Sequence, residues 1–335
     1  MKRILLTGIG GFIGSHCLSH ILVNTDWEVV GIDSFNHKGI SERITDSVHY
    51  QKNKDRVKIY THDLNAPISN VLINKIGQID YIINFASDSH VDRSITHPVP
   101  FIQNNVNLIC NMLEYAKKVE PEKFIQIGTD ETYGPSDGVH AHKEWDPILP
   151  SNPYSASKAC QEAICISYWR TYGVPVILTN FMNQFGEMQD SEKLVPMTIK
   201  KVLSGERILI HSDSTLTKSG TRFWIHTRNS SDALLFMLNN IPVLKHPEYS
   251  RPERFNIAGE IQISNLDMVK LIAGIIGKKP NYELVDTHSS RPGHDLHYGL
   301  SSEKLLSFGY KYPKNFTTSL EKMVKWSINH PEWLL

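Results

Sequence analysis

The chain has 335 residues, 40% hydrophobic and 21% charged, with 35 Lys+Arg matching 35 Asp+Glu. That is globular composition with ample length for a large core, and the zero formal charge excludes the basic footprint of a nucleic-acid binder, leaving any anionic ligand to local groups. Cys17, Cys110, Cys160 and Cys165 form no C-x-x-C pair and read as reduced packing residues of a cytoplasmic protein; a strand opening at Met1-Lys2-Arg3 leaves no room for a signal peptide, and no apolar run is long enough to span a membrane.

In chain order, residues 3–7 read as a strand, 13–23 as a helix and 27–32 as a second strand. Strands at 57–61, 80–85 and 123–127 follow, with helical spacing at 106–118 and 154–172 and a closing strand at 175–180. This alternation predicts an α/β fold, a Rossmann-type doubly wound parallel sheet with ligands beyond the strand carboxyl ends. After Asn180 the texture changes: a helix at 194–203, a strand at 207–211, an exposed loop at 212–220, a helix at 229–238, then short mixed elements from 252 onward. The expected organisation is a dinucleotide-binding domain over 1–180, with a return segment near 223–240. A smaller mixed α/β C-terminal lobe over 181–335 would cap the sheet, with substrate between the lobes. The helices at 106–118 and 154–172 carry apolar residues on more than one side, such as Leu108, Met112, Ile164, Ile166 and Trp169, which predicts a second buried face.

The first strand runs into Gly8-Ile9-Gly10-Gly11-Phe12-Ile13-Gly14. Glycines 8, 11 and 14 suit a tight turn, close approach of a pyrophosphate and helix–strand packing; the N–H groups around Phe12, Ile13 and Gly14 open the helix. Asp33 ends the second strand 19 residues after Gly14, where a carboxylate accepts from both ribose hydroxyls. No arginine stands in Ser34-Phe35-Asn36-His37 to neutralise a 2′-phosphate, so NAD is expected rather than NADP. Asp63-Leu64, after another strand, is placed either to contact adenine or to form a simple strand-end turn.

Tyr154 and Lys158 are four apart and share a helix face. A free tyrosine, with a pKa of about 10, is a poor base at neutral pH, and nearby positive charge favours its phenolate. Tyr154 is therefore a candidate base for a sugar hydroxyl. Thr129-Asp130-Glu131 follows a strand, at the address where such folds keep their chemistry. Two adjacent acids there can divide labour, one neutral and donating, one ionised and accepting. Dehydration needs that pair.

With these residues the chain resembles the extended short-chain dehydrogenase/reductases, and within them the nucleotide-sugar 4,6-dehydratases, nearest to the branch acting on dTDP-glucose. The landmarks are Gly8 to Gly14, Ser89-His90-Val91-Asp92-Arg93-Ser94, Thr129 to Gly134, Tyr154 to Lys158, Glu192 to Pro196 and Arg291 to Asp295. The resemblance implies that Tyr154 takes the C4 hydroxyl proton with Thr129 supporting it, that Lys158 also bonds the nicotinamide ribose, and that tightly held NAD takes and returns the electrons. Glu131 would remove the C5 proton and Asp130 protonate the departing C6 hydroxyl. Ala86, Ser87 and Ser89-His90 would line the cofactor and sugar pocket, His90 having a structural alternative. Asn183, Lys193, Leu194, Arg222, Asn256, Arg291 and His294 would hold the nucleotide diphosphate. A homodimer through a four-helix interface is implied too.

Several positions depart from the family pattern. Thr132 stands where valine is usual, His211 replaces a base-stacking tyrosine, Phe223 replaces an aspartate, and the 186–190 and 212–220 loops differ. These cluster around the expected base pocket and leave the nucleotide open. A 4-epimerase or decarboxylase shares the fold and the Tyr/Lys pair, but the first has no use for two acids and the second typically carries serine at position 130; a 5,6-dehydratase, which releases the unsaturated sugar without the final reduction, stays open as an alternative. A non-catalytic NAD-binding protein is expected to lose Tyr154, Lys158 or the acids, and all are present.

Overall fold

Short apolar runs rich in valine and isoleucine build the sheet of this protein, and a computed structural model describes residues 1–36, 38–287 and 295–335. The chain divides into two units: Met1–Thr132 with Asn152–Asn180 and Ser231–Phe255, and Tyr133–Ser151 with Phe181–Ser230 and Asn256–Leu335. The segment rejoining the first unit is thus 231–255, later than the expected 223–240, because its last stretch is itself an edge strand of the sheet.

The first unit holds β1 (Arg3–Thr7), β2 (Glu28–Asp33), β3 (Val57–Thr61), β4 (Tyr81–Asn84), β5 (Lys123–Thr129) and β6 (Val176–Phe181). With the strand Glu253–Ile257 beyond β6 they form one seven-stranded sheet; β1 lies between β2 and β4, β3 beyond β2, and β5 between β4 and β6. The β1–β2, β2–β3, β1–β4 and β4–β5 pairs are parallel. Chain order reverses between β1 and β4, so their carboxyl ends flank the switch point where such sheets bind ligands. The helices are α1 (Phe12–Asn24), α2 (Glu42–Thr45), α3 (Val48–Asn53), α4 (Asn70–Ile76), α5 (Val91–Thr96), α6 (Pro98–Val119) and α7 (Pro153–Tyr172).

Helix α6 starts eight residues before the expected 106, because Pro98 and Pro100 fall in its first turn, where a missing N–H costs nothing. Helix α7 starts at Pro153 behind a reciprocal Asn152/Ser155 capping box and ends at Gly173 with φ 70°. Leu108, Ile109, Met112, Leu113, Cys165 and Trp169 of these two helices pack with Leu5, Val30, Ile82 and Phe124 of the sheet in one buried core. Leu108, Met112 and Trp169, offered above as a second apolar face, are thus taken up by the chain's own core, with Ile164 and Ile166 half-buried against it. Cys17 and Cys165 are buried, but Cys160 faces out of α7 and is not a packing residue; all four thiols are free.

The second unit contains β7 (Gln184–Phe185), α8 (Leu194–Ser204), β8 (Ile208–Ser212), β9 (Thr221–Phe223), β10 (Ile225–His226) and the first turn of α9 (Thr227–Asn240), the rest of which belongs to the first unit. Counting Glu253–Ile257 as β11, it continues with β12 (Gln262–Ser264), α10 (Asn265–Ile276), β13 (Tyr282–Asp286) and a last helix, Phe316–Asn329. Its strands pair two by two: β7 with β10, β9 with β12, β8 with β13. Phe185, Val195, Ile199, Met268, Ile272, Leu320 and Met323 form its main core. Within the 212–220 loop, Ser212 and Ser219 bridge and are buried, while residues 214–218 are exposed. Among the described residues no helix is long and apolar enough to cross a membrane.

Candidate active site

At the end of β1, Gly8 has φ +63°, and a Cβ there would sit 3.1 Å from the backbone N of Ala86 at the end of β4. A Cβ on Gly14 would lie 2.3 Å from the Gly8 carbonyl oxygen, so only glycine fits. Gly11 begins α1 with no side-chain cap and no acid in the first turn. The N–H groups of Phe12, Ile13 and Gly14 therefore head an uncapped helix, a fit for a diphosphate. Asp33 is 8% exposed; its Oδ2 accepts from Gly10 N at 2.8 Å and its Oδ1 from Phe35 N at 2.9 Å. Each oxygen keeps a further lone pair for a ribose hydroxyl. Gly39 packs behind this carboxylate, where a Cβ would stand 2.4 Å from Oδ1.

Sequence reasoning overlooked Arg43, which is 1% exposed and donates to the carbonyls of Gly10 and Lys38. It braces the turn by binding backbone oxygens. Asp63 is exposed, with Oδ1 accepting from Asn65 N at 2.9 Å, so it builds the turn alternative. Leu64 lies in the core, leaving only its backbone for contact with a ligand. Ser87 is half-buried and Ser89 exposed.

Strand β5 delivers Thr129, and a single 3-10 turn, Asp130–Tyr133, follows at once. Thr129 Oγ1 donates to Asp130 Oδ1 at 2.9 Å, and Asn152 Nδ2 donates to Glu131 Oε2 at 3.1 Å. Tyr154 opens α7 and is 9% exposed, its ring edge-on to Phe101 and its N–H donating to Ser94 Oγ at 3.1 Å. His90 takes the structural role: its Nδ1 caps α5 by accepting from Arg93 N at 3.2 Å. The Tyr154 phenol is pushed well above the ordinary tyrosine range, first by burial and then by the charges of Glu131 and Asp130, with a Thr129 hydrogen bond opposing. Thr129, Asp130, Glu131 and Tyr154 thus share one electrostatic neighbourhood, and the free site holds the tyrosine protonated.

Lys158 is 4% exposed and donates to Ile127 O and Gln161 Oε1, each at 2.7 Å. Burial pulls its ammonium down to about 8, and the Glu162 charge partly offsets that. Behind it Glu162 pairs directly with Arg254, both 1% exposed, while Asn180 Nδ2 links Glu162 Oε1 (2.6 Å) to Thr129 O (3.0 Å). A chain of buried amides joins the glycine turn to the lysine. Ala86 N donates to Thr7 Oγ1 (3.1 Å), Thr7 to Asn84 Oδ1 (2.6 Å), and Asn84 to Gln126 Oε1 (2.8 Å). Gln126 then donates to Gln161 Oε1 (3.1 Å), and Gln161 to Asn105 O (2.8 Å). No sequence motif announces these amides; their contact depends on strand register.

The expected substrate residues separate into three groups. Arg291 and His294 lie outside the described residues. Asn183 is exposed, and Lys193 is half-buried at the start of α8, a helix with neither a side-chain cap nor a first-turn acid; Leu194 packs into the second unit's core. Arg222 and Asn256 have internal work. Arg222 donates to the carbonyls of Thr221 and Leu296 at 2.7 Å and Asp295 at 3.1 Å, and stacks 4.3 Å over the Tyr298 ring. Asn256 is fully buried: Nδ2 donates to His142 O at 2.9 Å, and Oδ1 accepts from Tyr133 Oη at 2.9 Å. Through these two bonds its amide organises the 133–146 loop.

The family described as GDP-mannose 4,6 dehydratase matches residues 5–323. The chain belongs to that family. A relative, dTDP-glucose 4,6-dehydratase of Escherichia coli, is 33% identical, covering 99% of this chain and 95% of the relative. The solved dTDP-glucose 4,6-dehydratase of Streptomyces venezuelae, with NAD bound, superposes on this family member with a TM-score of 0.86 at 27% identity, over 99% of this chain and 98% of that one. A UDP-glucuronic acid 4-epimerase of Bacillus cereus shares the fold at a TM-score of 0.85 and 24% identity, covering 98% and 100% of the two chains. The fold therefore hosts more than one sugar reaction, and the side chains must decide between them.

Proposed function

We propose that this protein is an NAD-dependent 4,6-dehydratase of a nucleoside-diphosphate hexose of the dTDP-glucose type. The carrying observation is the electrostatic coupling of Asp130 and Glu131 to Tyr154, with Thr129 hydrogen-bonded to the phenol. An epimerase works with the Tyr/Lys pair and needs no acids; an acid pair beside the tyrosine suits loss of water across C5 and C6. When bound, NAD supplies the electron-pair acceptor for C4, the donor that returns the pair at C6, and a positive charge offsetting the two carboxylates at Tyr154. The uncapped α1 start and Asp33 would hold it.

Tyr154 accepts the C4 hydroxyl proton, with Thr129 fixing the phenol's orientation. The resulting ketone acidifies C5, Glu131 removes that proton, and Asp130 protonates the departing C6 hydroxyl; Glu131 returns the proton to C5 when the electron pair is restored at C6. Lys158, one helical turn after the tyrosine, has its ammonium anchored on Ile127 O and Gln161. For the substrate diphosphate we assign Lys193 and the first-turn N–H groups of α8, since Arg222 is engaged with carbonyls. The reading extends to a cytoplasmic homodimer through α6 and α7, supported by the free thiols and by Val99, 61% exposed on α6; sedimentation as a monomer counts against that extension.

The test is incubation with dTDP-, UDP-, CDP- and GDP-hexoses deuterated at C4, without added reductant. Deuterium in the C6 methyl group of a 4-keto-6-deoxy product is the expected result. A C4 epimer, or no turnover of any hexose, overturns the proposal.

A further inference from the structure

We propose that His140, His142 and Asp146 bind one divalent transition-metal ion of the zinc class. The three donors come from one seven-residue stretch of the second unit. Asp146 Oδ2 lies 3.3 Å from His140 Nε2 and 3.6 Å from His142 Nδ1, and the three ligating atoms all fall within 4.8 Å of one another. A tetrahedral metal with bonds of about 2.0–2.1 Å spaces its ligand atoms roughly 3.3–3.4 Å apart. Two edges of that tetrahedron already stand near the required length. The third closes by rotation of His140, whose side chain is 57% exposed. The imidazole planes cross at 89°, so the two rings approach the same point from different directions.

Two of the three ligands are held in advance. Asp146 Oδ2 accepts from Lys143 N at 2.9 Å, which fixes the carboxylate inside the turn. His142 stacks on the buried Tyr133 ring (5.3 Å, 11°), and its backbone is pinned by His142 N to Gly299 O (2.8 Å) and Ser301 N to His142 O (2.9 Å). Two imidazoles and one carboxylate prefer zinc, cobalt, nickel or copper to magnesium or calcium, which favour oxygen donors. Three protein ligands leave a fourth position for water. The alternative is a solvated ion pair capping the turn, with no affinity for metal.

The full-length protein, stripped with chelator, is titrated with Zn²⁺ by calorimetry and with Co²⁺ by visible absorption. One equivalent of Zn²⁺ binds, Co²⁺ gives the intense band of a four- or five-coordinate ion, and excess Mg²⁺ displaces neither. His142→Ala and Asp146→Asn each weaken binding by about tenfold or more and abolish the band. Asp146 also caps the turn, so His140→Ala, at an exposed position, keeps the test decisive should Asp146→Asn fail to fold. Absence of stoichiometric binding, displacement by Mg²⁺, or binding that survives these substitutions and so belongs to others of the 16 histidines overturns the proposal. The readout does not pass through turnover, so it stands apart from the dehydratase reading.

Discussion

Glu162→Gln probes the ion pair beneath the catalytic strand. Glu162 and Arg254 expose 1% each and bond directly, and Asn180 Nδ2 donates to the other carboxylate oxygen at 2.6 Å. The amide has nearly the shape of the carboxylate and can still accept from Asn180, so packing is conserved while Arg254 loses both the charge and the acceptor that face it. Arg254 is then buried against a neutral partner. Removing one member of a buried pair costs about 3–5 kcal/mol, whereas replacing both members with apolar groups of similar size is often neutral or favourable. Glu162→Leu combined with Arg254→Met should therefore cost less than Glu162→Gln alone. Lys158 adds a second consequence: the Glu162 charge raises its pKa, so the ammonium weakens further in the single variant. Guanidinium unfolding, followed by tryptophan fluorescence and circular dichroism with the slope checked for constancy, measures both variants. A loss below about 1 kcal/mol for Glu162→Gln, or a double variant worse than the single, refutes the reasoning.

Four other outcomes are expected. Because burial lowers Lys158 to about 8, the ammonium is present below that pH and lost above it, so turnover should decline above about pH 8 and the decline should move to lower pH in Glu162→Gln; an alkaline limb unmoved by that variant counts against it. The same depressed value means the unfolded chain binds more protons between about pH 8 and the ordinary lysine value of 10.5, so this group's contribution to stability rises with pH across that window. Gly14→Ala should abolish NAD retention, because its Cβ meets the Gly8 carbonyl at 2.3 Å; an alanine variant retaining NAD as isolated would show that the turn adjusts. Asn256→Ala should loosen the 133–146 loop more than it weakens nucleotide binding: Tyr133 Oη keeps Glu144 O and His142 O keeps Ser301 N, so each loses one of its hydrogen bonds, at about 0.5–1.5 kcal/mol per bond, and a pure affinity loss without a drop in melting temperature would return this residue to the substrate.

The parts of the protein that were legible in its sequence are those whose partners lie nearby in the chain. The glycine turn, the Tyr154/Lys158 spacing and Thr129-Asp130-Glu131 each sit within one turn or strand end, and the strands of the sheet announce themselves by composition. The first two turns of α6 were not legible, because two prolines and a polar run conceal its helical period. Asn84 and Gln126 each stand as one polar residue in an apolar strand, where they resemble a strand end; only the pairing of Asn84 with Gln126 across β4 and β5 makes them neighbours. Arg43 was missed because its acceptors, Gly10 and Lys38, belong to two separate turns. Arg222 and Asn256 were located by resemblance, yet their hydrogen bonds are set by segments distant in sequence.

The polar thread from Ala86 to Asn105 has a sense of travel. It begins at a backbone N–H, which can only give, and finishes at a backbone carbonyl, which can only receive. Every hydroxyl and amide in between is thereby oriented one way, and turning Asn84 or Gln126 around would set like groups face to face in a dry interior. Lys158, itself only a giver, enters at an oxygen whose direction was decided at the far side of the sheet. A change of residue type at any link must be answered at the next, so these positions should vary in concert or not at all.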